Sequence, residues 1–320
     1  MRLETGFLPR NPVSTTVDHD NMRHNFGRLS LKRDGAVCHT GPMKKEQDEG
    51  FVVRPFPLSR RLVLDAMRAG SRKHMIHGLV EYDVTEPRRL LREHRERTGE
   101  SLSFTAFVLH CVGAAVAEDK MVHACRDWRG RLVLFDDVDV NTIIEIELED
   151  RRFPLAYVVR AVNRRSVREL HDEIRHVQQN PDRSHGEQTL SLMRWYARLP
   201  GFVRGLPFRV LPLRPQWLKR VGGTASVTAV GMFGEGGGWG IPIPLYTLNL
   251  TLGGIATKPG IVEGRIEPRE FLSVTLSFDH DIVDGAPAAR FGNKLKGLIE
   301  RADGLEEVAV WKPGFYSSIA

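Results

Sequence analysis

One stretch limits the possible folds more than any other: Leu272 to Arg290, LSVTLSFDHDIVDGAPAAR. Leu272, Val274, Leu276 and Phe278 alternate with Ser273, Thr275, Ser277 and Asp279. This period of two predicts a strand with one apolar face, ending at His280. Ala288, Phe291, Leu295, Leu298 and Ile299 then recur at helical spacing. Asp284 suits the N-cap of that helix, and Pro287 is tolerated in its first turn. An imidazole therefore stands at a strand end and a carboxylate at the start of the next helix. Such mounting suits a proton acceptor working near neutral pH. The plainer reading of these few residues is a surface turn with an aspartate cap.

The chain has 320 residues, 41% of them apolar, enough for one large domain or two small ones. Its most apolar run, Phe104 to Ala117, is interrupted by His110 and Gly113 and is too short to span a bilayer. The N-terminus has no apolar core of the signal-peptide kind. Cys38, Cys111 and Cys125 share no metal-ligand spacing, and their odd number fits a reducing cytoplasm. A net charge of +6 favours anionic partners: phosphates, acidic protein surfaces or anionic lipid.

Residues 1–50 are polar and without sustained periodicity, which suggests a tail; Asp18-His19-Asp20 and His39 there read as solvated groups. Globular patterning starts at residue 51, with a helix expected from about Ser59. MIHGLVEYDVT reads as a strand running into a helix capped by Thr85 and ending at Gly99. Its Leu90 and Leu91 face inward, and Arg88, Arg89, Arg92, Arg95 and Arg97 face water. His74 and His77 lack an acidic or cysteine co-ligand for a metal. Ser103 caps a second helix whose His110 and Cys111 read as core residues. Strands are expected at 131–135, 138–148 and over LAYVVRAV, and Ser166 with Glu169 forms a capping box opening a helix to about Gln178.

Between Gln188 and Val221 stand seven basic residues and no acidic one: Arg194, Arg198, Arg204, Arg209, Arg214, Lys219 and Arg220. Trp195, Tyr196, Phe202, Phe208 and Trp217 interleave with them. Three readings stay open: an interfacial membrane contact, a docking surface for an acidic partner, or an elaborated loop with arginines pointing outward. Four prolines argue against a long amphipathic helix, and no nucleic-acid motif is present.

SFDHDIVDGAPAARF resembles the D-H-x-x-x-D-G-A-x-A-A-R-F signature of the dihydrolipoyl acyltransferases of 2-oxoacid dehydrogenase complexes. The sequence GGTASVTAVGMFG is similar to the same family's G-G-T-F-T-I-S-N-L-G-M-F-G, with Gly222, Gly223, Thr224, Gly231, Met232, Phe233 and Gly234 matching. Gly253-Gly254-Ile255 resembles its Leu-Gly-x-Gly turn. The resemblance covers about residues 55–302 except the basic and aromatic insertion at about 178–222, where relatives have a short connection.

The resemblance implies a mixed α/β sheet flanked by helices (an α+β two-layer, chloramphenicol acetyltransferase-like fold) with the active site at a trimer interface. It implies His280 as general base, Thr228 as donor to the tetrahedral oxyanion in place of the family's serine, and Asp284 as the brace of the catalytic turn. Coenzyme A would be a substrate, with no metal and no lipoyl group on this chain, which is expected to be a catalytic domain standing alone. The expected partners are a homotrimer or larger cage and a separate lipoyl-bearing protein. Where the family has arginine after the histidine this chain has Asp281, which would favour a charged ring at His280 and rearrange the ion pairs. An inactive trimeric scaffold and a small-molecule O-acetyltransferase are the alternatives.

Overall fold

The computed structural model describes residues 52–148, 151–180, 195–230 and 236–306. The polar tail, with Cys38, His39 and Asp18-His19-Asp20, and the matching residues Gly231–Gly234 lie outside them. Pro55–Ala320 forms one compact unit.

Helix α1 (Leu58–Gly70) leads into strand β1 (Met75–Asp83) and α2 (Thr85–Thr98). The cap of α2 differs from expectation. Thr85 is its first residue, and Asp83 does the capping by accepting from the Thr85 N–H at 2.9 Å and hydroxyl at 2.6 Å. Gly99 ends the helix in the left-handed conformation, as its position after the last periodic residue predicts. Of its arginines, Arg88 and Arg92 reach Glu270. The buried helix α3 (Phe104–Glu118) starts at Ser103, whose hydroxyl accepts from Ala106 N–H. Cys111 is fully buried in it, and His110 donates through Nδ1 to the Arg165 carbonyl at 2.9 Å.

The expected strand at 131–135 is only the two-residue β3 (Leu132–Val133), paired with β2 (Cys125–Arg126) outside the main sheet. β4 (Val140–Leu148), β5 (Arg151–Val159) and α4 (Val167–Gln179) follow, and the Ser166–Glu169 capping box forms in full. In the insertion the prolines do what their geometry dictates: two short helices, α5 (Gly201–Val210) and α6 (Pro215–Gly222), replace one long one. Then come β6 (Ala225–Ala229), β7 (Leu248–Val262), β8 (Arg265–Asp279) and α7 (Gly285–Glu300).

The six main strands form one mixed sheet in the order β1-β8-β7-β6-β4-β5, parallel only at β7/β6 and β6/β4. Its even-numbered β8 residues, Leu272 to Phe278, face the helical layer of α3, α4 and α7, where Phe278 meets Phe291 edge-on at 5.7 Å. The opposite face is polar yet buried: Thr251, Ser273, Thr275 and Ser277 are each at most 4% exposed.

Gly253 and Gly254 are not a turn. They sit inside β7 at a register shift, beneath the segment 236–240, which crosses that face. A Cβ at Gly254 would lie 1.9 Å from the Gly236 carbonyl oxygen, so only glycine lets the two backbones touch. The crossing segment is tied down by Gly238 N–H to Ser273 Oγ and by Trp239 Nε1–H to the Val80 carbonyl. The real reversal is at Glu263-Gly264, both with positive φ, as a two-residue hairpin requires.

Candidate active site

His280 directly follows the last residue of β8. The alternating strand stops there because the backbone turns: Ile282 and Val283 N–H both bond the Asp279 carbonyl at 3.0 Å, and Asp281 N–H reaches Asp279 Oδ1 at 3.3 Å. Asp279 is itself buried and ion-paired to Lys73, while His280 N–H bonds the His74 carbonyl at 2.7 Å. The backbone of the turn is thus held by Asp279 and by the residues just before β1. Sequence reasoning missed Asp279, although as the last residue of the polar face of a periodic strand, directly before His280, it was placed to be found.

Asp284 occupies the N-cap position of α7 but makes no capping hydrogen bond. Its carboxylate lies 3.8 Å from His280 Nδ1, with both side chains open to solvent. The Asp281 carboxylate is engaged elsewhere. It bonds His74 Nδ1 at 3.0 Å and lies 4.0 Å from Arg126, and the His74 hydrogen bond, with the nearby Arg126 and Lys73, holds it below the usual carboxylate range. His77, the other member of the early histidine pair, bonds Ser277 Oγ at 2.8 Å.

Thr228 stands half-buried on β6, in register with Thr251 on β7 and through it Thr275 on β8. Paired residues share a face, so three hydroxyls cross the polar side of the sheet in a row, and Thr275 Oγ1 is buried without a hydrogen-bond partner among the described residues. His280 lies five residues further along β8. That is about 17 Å along the strand and two strand spacings, about 10 Å, across. Within one copy the ring and the hydroxyl are not brought together.

A cavity of about 780 Å³ abuts the turn, with Asp279, Asp281 and Ile282 in its wall. Arg68, Arg72 and Lys73 line it from α1 and the turn after it, Cys125 to Trp128 from the small hairpin, and Phe208, Arg209, Leu211 and Leu218 from the insertion. Among the described residues, no hydrogen bond or ion pair engages the side chains of Arg72 and Arg209. The insertion is fastened to α1 by a buried pair, Arg204 Nε to Asp65 Oδ2 at 2.7 Å, with Arg204 also donating to the Leu199 carbonyl. Arg204 therefore departs from the outward-facing arginines the sequence suggested.

Glu100, His171 and Asp172 are the one group of ligand-type atoms, among the described residues, close enough to share an ion. Chemistry argues for a hydrogen-bonded cluster instead. Ser103 N–H donates to His171 Nδ1, so the neutral ring carries its proton on Nε2, the atom facing Glu100, and Arg168 already holds Glu100.

The mixed sheet with one helical layer is a fold that this chain shares with solved dihydrolipoamide acetyltransferase structures. Residues 216–306, under a third of the chain, match the family model of the 2-oxoacid dehydrogenases acyltransferase (catalytic domain). It is 34% identical over 79 residues to the human mitochondrial dihydrolipoyllysine-residue succinyltransferase component of the 2-oxoglutarate dehydrogenase complex. That match covers 25% of this chain and 17% of the relative, so the chain's match spans about a sixth of that relative's length. Among solved structures, the cubic core of the pyruvate dehydrogenase multienzyme complex is similar at a TM-score of 0.58 and 17% identity, over 86% of this chain and 100% of that one. Azotobacter vinelandii dihydrolipoamide acetyltransferase is similar at 0.59 and 16%, over the same shares. The latter structure addresses the role of a serine, a histidine and an asparagine in its catalytic mechanism.

Proposed function

We propose that this chain is an acyltransferase moving an acyl group between coenzyme A and a thiol of the dihydrolipoyl kind. One observation carries the reading. In the Azotobacter enzyme the serine precedes the histidine by 52 residues and the asparagine follows it by four. Thr228, His280 and Asp284 have the same two spacings here.

The chemistry follows from the side chains. The Asp284 carboxylate faces Nδ1 of His280, leaving Nε2 to take the proton of the incoming thiol. The thiolate adds to the thioester carbonyl, and the oxyanion accepts a hydrogen bond from the Thr228 hydroxyl. Collapse expels the second sulfur, which recovers the proton from the imidazolium. Because ring and hydroxyl of one copy stand far apart, the site is assembled from His280 of one subunit and Thr228 of the next. This needs a homotrimer, which a cage of the cubic-core type would contain. Coenzyme A enters as substrate; Arg72 and Arg209, unpaired among the described residues, together with Arg68 suit its phosphates, and the apolar wall of the cavity suits its pantetheine arm. The acyl group comes from or goes to a separate lipoyl-bearing protein.

The test is acyl-coenzyme A turnover with dihydrolipoamide, followed by chromatographic separation of the free coenzyme A formed. The wild-type chain turns over, and His280→Ala loses about 10²–10⁴-fold in kcat with its oligomeric state intact. Equal rates for the two proteins would overturn the assignment.

A further inference from the structure

The insertion turns an apolar surface outward. On α5, Phe202, Leu206 and Val210 are 78%, 56% and 37% exposed, and their i, i+4, i+8 spacing sets them on one stripe. Just beyond, Leu213, Trp217 and Val221 repeat the same spacing at 48%, 50% and 68%. Trp195 is 58% exposed six residues before α5. Seven large apolar side chains exposed within 27 residues exceed the scattered single exposures normal for a monomer's surface. Around them stand Arg198, Arg214 and Arg220, all exposed, with Arg214 over the Trp217 ring at 5.5 Å. No acidic residue lies between Gln188 and Val221.

We propose that this face docks peripherally on an anionic lipid surface. The charge argument selects the occupant. A second copy would bring the same cations against each other, with no carboxylate in the segment to offset them. The apolar side chains project singly from two short helices instead of lining a groove, which suits insertion among lipid headgroups better than packing against a folded partner. Tryptophan and arginine at the boundary match the chemistry of an interface that is apolar on one side and phosphate-rich on the other. No described helix is long and apolar enough to cross a membrane, so contact is limited to the surface. Leu213 and Val221 belong both to this face and to the wall of the cavity, so docking would bring the cavity mouth to the lipid. The proposal rests on the exposed face alone and holds whether or not the acyl transfer does.

The experiment is co-sedimentation of the full chain with two sets of vesicles: phosphatidylcholine alone, and equal parts phosphatidylglycerol and phosphatidylcholine. Binding is expected only to the anionic vesicles and is expected to fall with added salt. R214Q/R220Q should weaken it about 25-fold, at about fivefold for each cation removed. F202S/W217S should abolish it while leaving the circular dichroism, oligomer mass and turnover of the wild type. No sedimentation with the anionic vesicles would overturn the proposal. So would loss of oligomer mass in F202S/W217S, which would make the face a contact between copies.

Discussion

Removing the carboxylate of Asp65 isolates the most consequential contact of the insertion. Asp65 and Arg204 are 3% and 9% exposed at their side chains and meet at 2.7 Å. In Asp65→Ala the guanidinium keeps only the Leu199 carbonyl and remains away from water. Breaking a buried pair by deleting one member costs about 3–5 kcal/mol, mostly the uncompensated charge. For a unit of this size that corresponds to roughly 6–15 °C in Tm at about 2–3 °C per kcal/mol. If the insertion detaches before the sheet melts, the loss appears first as proteolysis within 195–222. Asp65→Leu with Arg204→Met removes both charges and should recover most of the stability. Urea denaturation and timed proteolysis of the three proteins supply the assay. A D65A protein within about 1 kcal/mol of wild type, and cut no faster, would refute the view that this pair fastens the insertion.

His123 is fully buried; burial pushes its pKa down to about 4, and Nε2 donates to the Phe135 carbonyl. The unfolded chain takes up this proton near pH 6.5 and the folded one does not, so stability present above pH 6.5 is lost as pH falls toward 4, by roughly 3 kcal/mol at most. Urea midpoints across that window should fall more steeply for wild type than for His123→Gln; equal slopes would contradict the buried neutral ring. Gly254→Ala drives a methyl into the Gly236 carbonyl and should cost about 1–3 kcal/mol or more, whereas Gly78→Ala, whose nearest neighbour would be 4.0 Å away, should be tolerated. Thermal melts of the two variants decide this. Thr228→Ser should keep most of the turnover and Thr228→Ala should lose about 10²–10³-fold in kcat, and a similar rate for both would remove the hydroxyl from the mechanism.

What could be read in advance was local. The strand to Phe278, the helix from Gly285 and the Ser166–Glu169 box announce themselves because each depends on residues a few positions apart. The outer half of the β7–β8 hairpin was not legible: Pro259 faces Pro268, Ile261 faces Ile266 in the open, and no buried face imposes an alternation. Gly253-Gly254 looked like a turn because the segment that needs them glycine crosses from residues 236–240. Arg204 looked like its neighbours until α5 packed on α1 and brought Asp65 to it. The cavity is similarly non-local, built from α1, the 125–130 loop, the insertion and the turn at His280. Asp281 seemed placed to act on His280, but the residue just before β1, His74, lies beside it and takes its hydrogen bond.

The claim that the reacting ring and hydroxyl come from different copies is tested most directly by complementation. His280→Ala and Thr228→Ala chains, each nearly inactive alone, are unfolded together, refolded at equal concentration and assayed. Random mixing in a closed ring gives an intact ring–hydroxyl pair at about a quarter of the sites, so about a quarter of wild-type turnover should return. Turnover no higher than the average of the two separate variants, in a preparation shown to contain mixed oligomers, would contradict it.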